Sequence, residues 1–180
     1  MTRTSRIPLA GTAIALACAL AACANNPAPP EWQLNARSGI DRALDAWFAG
    51  DARAEAQEFE RVRGEIARTG RPALLARAEL VRCAARAASL VIEECAAYQA
   101  LAQDAEPAER AYAAYLTGRA GPENAPLLPE QHRALAAAGA TPASDLAALQ
   151  RMTDPLSTLV GAAVSLQRGR AGPAVVALAV

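Results

Sequence analysis

Prolines divide this chain into short pieces and fix where helices can begin. Pro72, Pro107, Pro129, Pro142 and Pro155 each open an alanine-rich stretch. In a first helical turn proline forfeits no hydrogen bond, because its missing N–H would be an orphan there; deeper in, it breaks the helix. Thr141 before Pro142 and Asp154 before Pro155 are N-cap residues in the right place. Gly50, Gly70, Gly118, Gly139 and Gly169 close the preceding segments, since glycine reaches the left-handed conformation cheaply. No stretch alternates with a period of two, so the expected fold is all-α, built from short antiparallel helices.

The apolar spacing agrees with this punctuation. Over Trp32 to Ala49, Ile40, Ala43, Leu44, Trp47 and Phe48 form one helical stripe. Over Asp51 to Thr69, Phe59, Val62 and Ile66 face inward while Glu58, Arg61, Glu65 and Arg68 make a solvated charged face. Pro72 to Ala88 is apolar nearly all round apart from Arg77, Glu79, Arg82 and Arg86, which suits a central helix. Alanine supplies 49 of the 180 residues, so little of the apolar content is bulky.

A faint repeat runs through this pattern. Asp41 to Ala52, "DRALDAWFAGDA", aligns without gaps to Glu109 to Ala120, "ERAYAAYLTGRA", at an offset of 68 residues, and "GRAGP" recurs at Gly118 to Pro122 and Gly169 to Pro173. The offset is twice the period of about 34 residues of tetratricopeptide hairpins. The chain resembles a tetratricopeptide-like array on this ground; an irregular helical bundle is the other arrangement open to it.

The first 22 residues are built differently. Arg3 and Arg6 precede an uncharged apolar run from Ile7 to Ala22, the form of a secretory signal peptide and shorter than the about 20 residues of a membrane span. Leu20-Ala21-Ala22-Cys23 resembles the lipobox of bacterial lipoproteins. The resemblance implies removal of residues 1–22 and acylation of Cys23, whereas Cys18, preceded by Ala15-Leu16-Ala17, fits the motif badly. Cleavage at an Ala-x-Ala site such as Ala17-Cys18-Ala19, giving an ordinary secreted protein, is the alternative. Ala24 after the lipidated position implies an outer-membrane anchor facing the periplasm. Residues 23–30 then form a lipidated, proline-rich spacer reaching on the order of 20 Å, and 31–180 a single helical domain.

Cys83 and Cys95 lie twelve residues apart. In an exported chain such a pair is expected to be a disulfide, with two reduced core cysteines as the alternative. On one straight helix they would stand about 18 Å apart, so a bridge requires the chain to turn between them. The expected path ends the third helix at Ser89, takes Leu90 to Ile92 across the core and starts a fourth helix near Glu93.

Little in the chain points to chemistry. His132, the single histidine, reads as a surface residue in a polar first turn, and no metal set, catalytic motif or cofactor site is expected beyond the covalent lipid on Cys23. Glu58 with Glu60, and Glu93 with Glu94, are too close in sequence on helices to face one another across a cleft. Without its leader the chain has 16 Arg and no Lys against 18 acidic residues, which gives it no electrostatic reason to bind nucleic acid. Tyr98, Tyr112 and Tyr115 are candidates for a partner surface, with core filling as the competing and favoured reading. Pro173 to Val180, "PAVVALAV", is either a short packed helix or the start of a longer one. The expectation is a membrane-tethered, non-catalytic interaction or scaffold module with an envelope protein partner; an enzyme acting on cell-wall material, or a passive structural lipoprotein, are the alternatives.

Overall fold

The computed structural model describes residues 28–179. Among them every regular element is helical, so the fold is all-α. The order is α1 (Glu31–Phe48), α2 (Ala52–Ala67), α3 (Pro72–Ala88), α4 (Ala96–Gln99), α5 (Pro107–Leu116), a 3₁₀ segment (Pro122–Leu127), α6 (Glu130–Ala136), α7 (Pro142–Leu149), α8 (Pro155–Gln167) and α9 (Pro173–Leu178). Proline occupies the first turn of α3, α5, α7, α8 and α9 and of the 3₁₀ segment. Pro129 instead sits one position earlier, as the residue before α6. Thr141 and Asp154 cap as expected, accepting from the Ser144 and Ser157 amides at 3.2 and 2.8 Å.

Of the five glycines expected to close helices, Gly50, Gly70, Gly118 and Gly169 hold positive φ. Gly139 does not, and α6 already stops at Ala136. Gly139 serves through its carbonyl, which accepts from Ser144 Oγ at 2.5 Å and Arg170 Nη1 at 3.0 Å. The two halves of the sequence repeat, 41–52 and 109–120, are both the end of a helix and its glycine closure.

The core lies on two sides of α3. On one side Ala36, Ala43, Phe59, Val62 and Ile66 of α1 and α2 meet Ala78. On the other, Ala76, Leu80, Ala84 and Ala88 join Tyr98, Tyr115, Leu128, Leu135, Leu149, Val160 and Val164. The most extensive packing of α3 is against α8, far along the chain, and then against α5 and α2. In a stack of hairpins each unit touches its sequence neighbours; the α3 to α8 contact closes the helices around one member. On its other side α8 approaches α7 closely through Gly161, where a Cβ would stand 2.6 Å from Leu149 Cδ2.

Because α3 is covered on both sides, its charged residues need partners. Arg82 donates to Glu55 through Nε at 2.5 Å and Nη2 at 2.8 Å, with its guanidinium 4.8 Å from the Phe59 ring. The Glu55 hydrogen bond holds the Arg82 pKa above its ordinary value, against the opposing effect of burial. Glu79 accepts from Arg63 at 2.7 Å, and across the core Asp145 pairs with Arg170 at 3.2 Å. Glu55→Ala leaves Arg82 facing an apolar pocket. We expect a loss of about 3 kcal/mol, the low end for a broken buried pair because Arg82 keeps some solvent, read as a drop in the urea midpoint at unchanged m.

Candidate functional site

The end of α3 departs from the way the other helices end. In α1, α5 and α8 a glycine in the left-handed region is bracketed by two hydrogen bonds. For α5 these are Gly118 N–H to the Tyr115 carbonyl at 2.9 Å and Arg119 N–H to the Ala114 carbonyl at 2.8 Å. This is the Schellman closure. Helix α3 makes the same pair, Leu90 N–H to Ala87 at 2.8 Å and Val91 N–H to Arg86 at 2.9 Å, but with a leucine at φ +58°. Placing a Cβ in that region costs about 1–2 kcal/mol.

The leucine is not repaid by burial. Leu90, Val91 and Ile92 are 60, 40 and 51% exposed, which corrects the expectation that they cross the core. A left-handed residue straight after the helix turns the chain back out of the bundle, so the three aliphatic side chains stand at the surface. Trp47 Nε1 donates to Ser89 Oγ at 3.0 Å, bringing the end of α1 and its exposed Phe48 beside this loop. Arg86 lies 5.3 Å from the Trp47 ring and pairs with Glu93, while its Nε is buried without a partner. Cys83 and Cys95 form the expected disulfide, with Cα atoms 5.9 Å apart, and tie the far side of the loop to α3. The following helix starts at Ala96, after the bridge, and not near Glu93.

The tyrosines do not form a surface. Tyr98 and Tyr115 are buried in the core, in line with the favoured core-filling reading and against the candidate partner surface, and Tyr112 is partly covered beside them. The Tyr112 and Tyr115 rings stack at 6.0 Å, and burial pushes both hydroxyls above the usual tyrosine range. His132 is likewise not a surface residue: it is 2% exposed, its ring is 4.8 Å from that of Tyr115, and Nδ1 shares a hydrogen bond of 3.1 Å with the Tyr115 hydroxyl. The polar neighbours of His132 in sequence point outward, and its own position is one turn ahead of buried Leu135 and Ala136. Burial lowers its pKa to about 4, against a smaller opposing effect of the Asp154 carboxylate.

Among the described residues no group of three or more His, Cys, Asp and Glu side chains is placed to hold a metal, and no helix is long and apolar enough to cross a membrane. Cys23 lies outside the described residues. No protein family, curated protein or solved structure matches the chain. At the end of α3 three exposed aliphatic residues, Leu90, Val91 and Ile92, stand as a rim on a loop held by a helix closure, a disulfide and the Trp47 to Ser89 hydrogen bond.

Two outcomes follow. Leu90→Gly relieves the left-handed leucine, and the thermal midpoint of the variant is expected to rise by the equivalent of about 1 kcal/mol. A neutral buried histidine gives stability that is fully present above its unfolded pKa of about 6.5 and is lost as pH falls towards the folded value. The wild type should therefore lose up to roughly 3 kcal/mol more than His132→Gln between those limits, measured by urea unfolding at each pH.

Proposed function

We propose that the chain is a lipid-anchored interaction module of the cell envelope, tethered through Cys23 at the periplasmic side of the outer membrane and binding an envelope protein through the loop at the end of α3. The observation that carries the interaction part is Leu90. A residue that sits in a costly backbone conformation, exposes its own side chain and lifts two more aliphatic residues into solvent gives nothing to the fold. Such strain accumulates where a surface is kept for a purpose, and contiguous exposed apolar groups mark contact sites.

The disulfide supports the same reading. Closing a loop of this length stabilises a domain by roughly 3 kcal/mol in the chain-entropy model, and here the closed loop is the one that carries the rim. A preformed rim meets its partner without first being ordered, which lowers the cost of binding. The Leu20-Ala21-Ala22-Cys23 motif supports the tether, because several acyl chains on one cysteine give the stable attachment that one chain does not.

Both parts are open to test in cells. Intact-mass measurement of the membrane fraction should find a chain beginning at an acylated Cys23, and Cys23→Ser should leave the membrane; an unmodified chain cut elsewhere overturns the tether. A photo-crosslinking residue at position 91 should give one discrete adduct, absent when it is placed at exposed Arg53 and reduced by Leu90→Gly. Equal labelling from both positions overturns the loop as the partner surface.

A further inference from the structure

A groove of about 480 Å³ runs between α3, α5 and the junction of the 3₁₀ segment with α6, lined by Arg77, Leu80, Val81, Glu109, Tyr112 and Leu127 among others. Its volume falls within the roughly 300–1,000 Å³ of small-ligand and peptide clefts. Leu127 is 44% exposed at its edge. We infer that this groove binds a short apolar peptide segment carrying a basic side chain, and that Glu109 receives the basic group. The inference rests on the interaction reading above and adds a second surface to it, with the chemistry of the segment stated.

The carboxylate carries the case. Glu109 is buried, and both the hydrogen bond from Arg77 Nε at 2.8 Å and the ion-pair contact of Arg77 Nη2 at 2.6 Å fall on one oxygen, Oε1. The other oxygen, Oε2, is buried with no hydrogen-bond partner. A buried carboxylate oxygen left without a donor is costly, and an arginine that could grip both oxygens as a fork grips only one. The Arg77 side chain is 60% exposed, so it has solvent to swing into when a second cation takes its place at the carboxylate. An incoming Lys or Arg that donates to both oxygens replaces the bond Arg77 gave to Oε1 and adds the one that Oε2 lacks.

The surroundings select the same sign of charge. Glu130, at the start of α6, is exposed between the groove-lining Pro129 and Gln131. Among the described residues it stands within ion-pair distance of no basic side chain. Arg77 is the one cation of the lining, and its charge is already matched by Glu109. An acidic segment would be repelled by Glu130 and by the partly satisfied Glu109; a basic one can pair with Glu109 while its aliphatic residues cover Leu80, Val81 and Leu127.

The test uses the full-length chain in nanodiscs of zwitterionic lipid, with empty discs as the blank. The probes are fluorescein-labelled acetyl-Leu-Leu-Lys-Leu-Leu-amide and the same peptide with Glu in place of Lys, followed by anisotropy. We expect the lysine peptide to bind at least about tenfold more tightly than the glutamate peptide, and Glu109→Gln to remove that preference. Leu127→Ser, at an exposed position that spares the fold, should weaken both. No binding, equal binding of the two peptides, or a preference untouched by Glu109→Gln overturns the inference. A peptide that fails to bind while position 91 still gives its adduct removes the groove alone; binding that depends on Glu109 with no adduct at position 91 removes the loop and keeps the groove.

Discussion

Helix α3 has almost no face left for water, and much of the structure is arranged around that. Its alanines allow α1 and α2 to close on one side and α5 and α8 on the other, but the burial leaves charged groups at Glu79 and Arg82 that cannot be left alone. The partners come from α2, where Arg63 and Glu55 reach across. These pairs fix how α2 is rotated and shifted against α3, since a small slide would strand a charge in an apolar setting. With few large side chains to interlock, such pairs provide the specificity that bulky packing gives elsewhere.

The end of α8 is held by backbone carbonyls. Where α8 ends, Gln167 donates to the Leu116 carbonyl at 2.6 Å and Arg168 reaches the carbonyls of Gly118, Leu135 and Ala120. Burial lowers the Arg168 pKa, yet its guanidinium is supplied with acceptors from the unpaired ends of two helices and the loop between them. Arg170 adds the Gly139 carbonyl and the Asp145 carboxylate. A single turn of chain therefore closes α5, α6 and the start of α7 together.

Much of this was legible in the sequence because the determinants are local. Proline in the first turn of α3, α5, α7 and α8, Thr141 and Asp154 as caps, and glycine at four helix ends act within a few residues and stand where they were read, while Pro129 lies one position ahead of its helix. The polarity of α3 marked it as central for the same reason. What escaped depends on which helices meet. His132 sits in a polar stretch and is buried only because α5 brings Tyr115 to it. Glu55, Glu79, Glu109 and Asp145 look like solvated charges until partners from distant segments are in place. Leu90 to Ile92 read as core because three aliphatic residues in a row usually are; the glycine-like closure at Leu90 reverses their direction, and its one local sign is a leucine where α1, α2, α5 and α8 are closed by glycine.

The contact between α3 and α8 also bears on how the chain is made. A growing polypeptide emerges from its N-terminal end, so α1, α2 and α3 are complete and able to pair while α8 is still to be synthesised. Until α8 is added, the flank of α3 carrying Leu80, Ala84 and Ala88 lacks its most extensive contact and has α5 beside it. A truncation before Pro155 would remove the most extensive cover of α3 and so far more order than the residues it deletes.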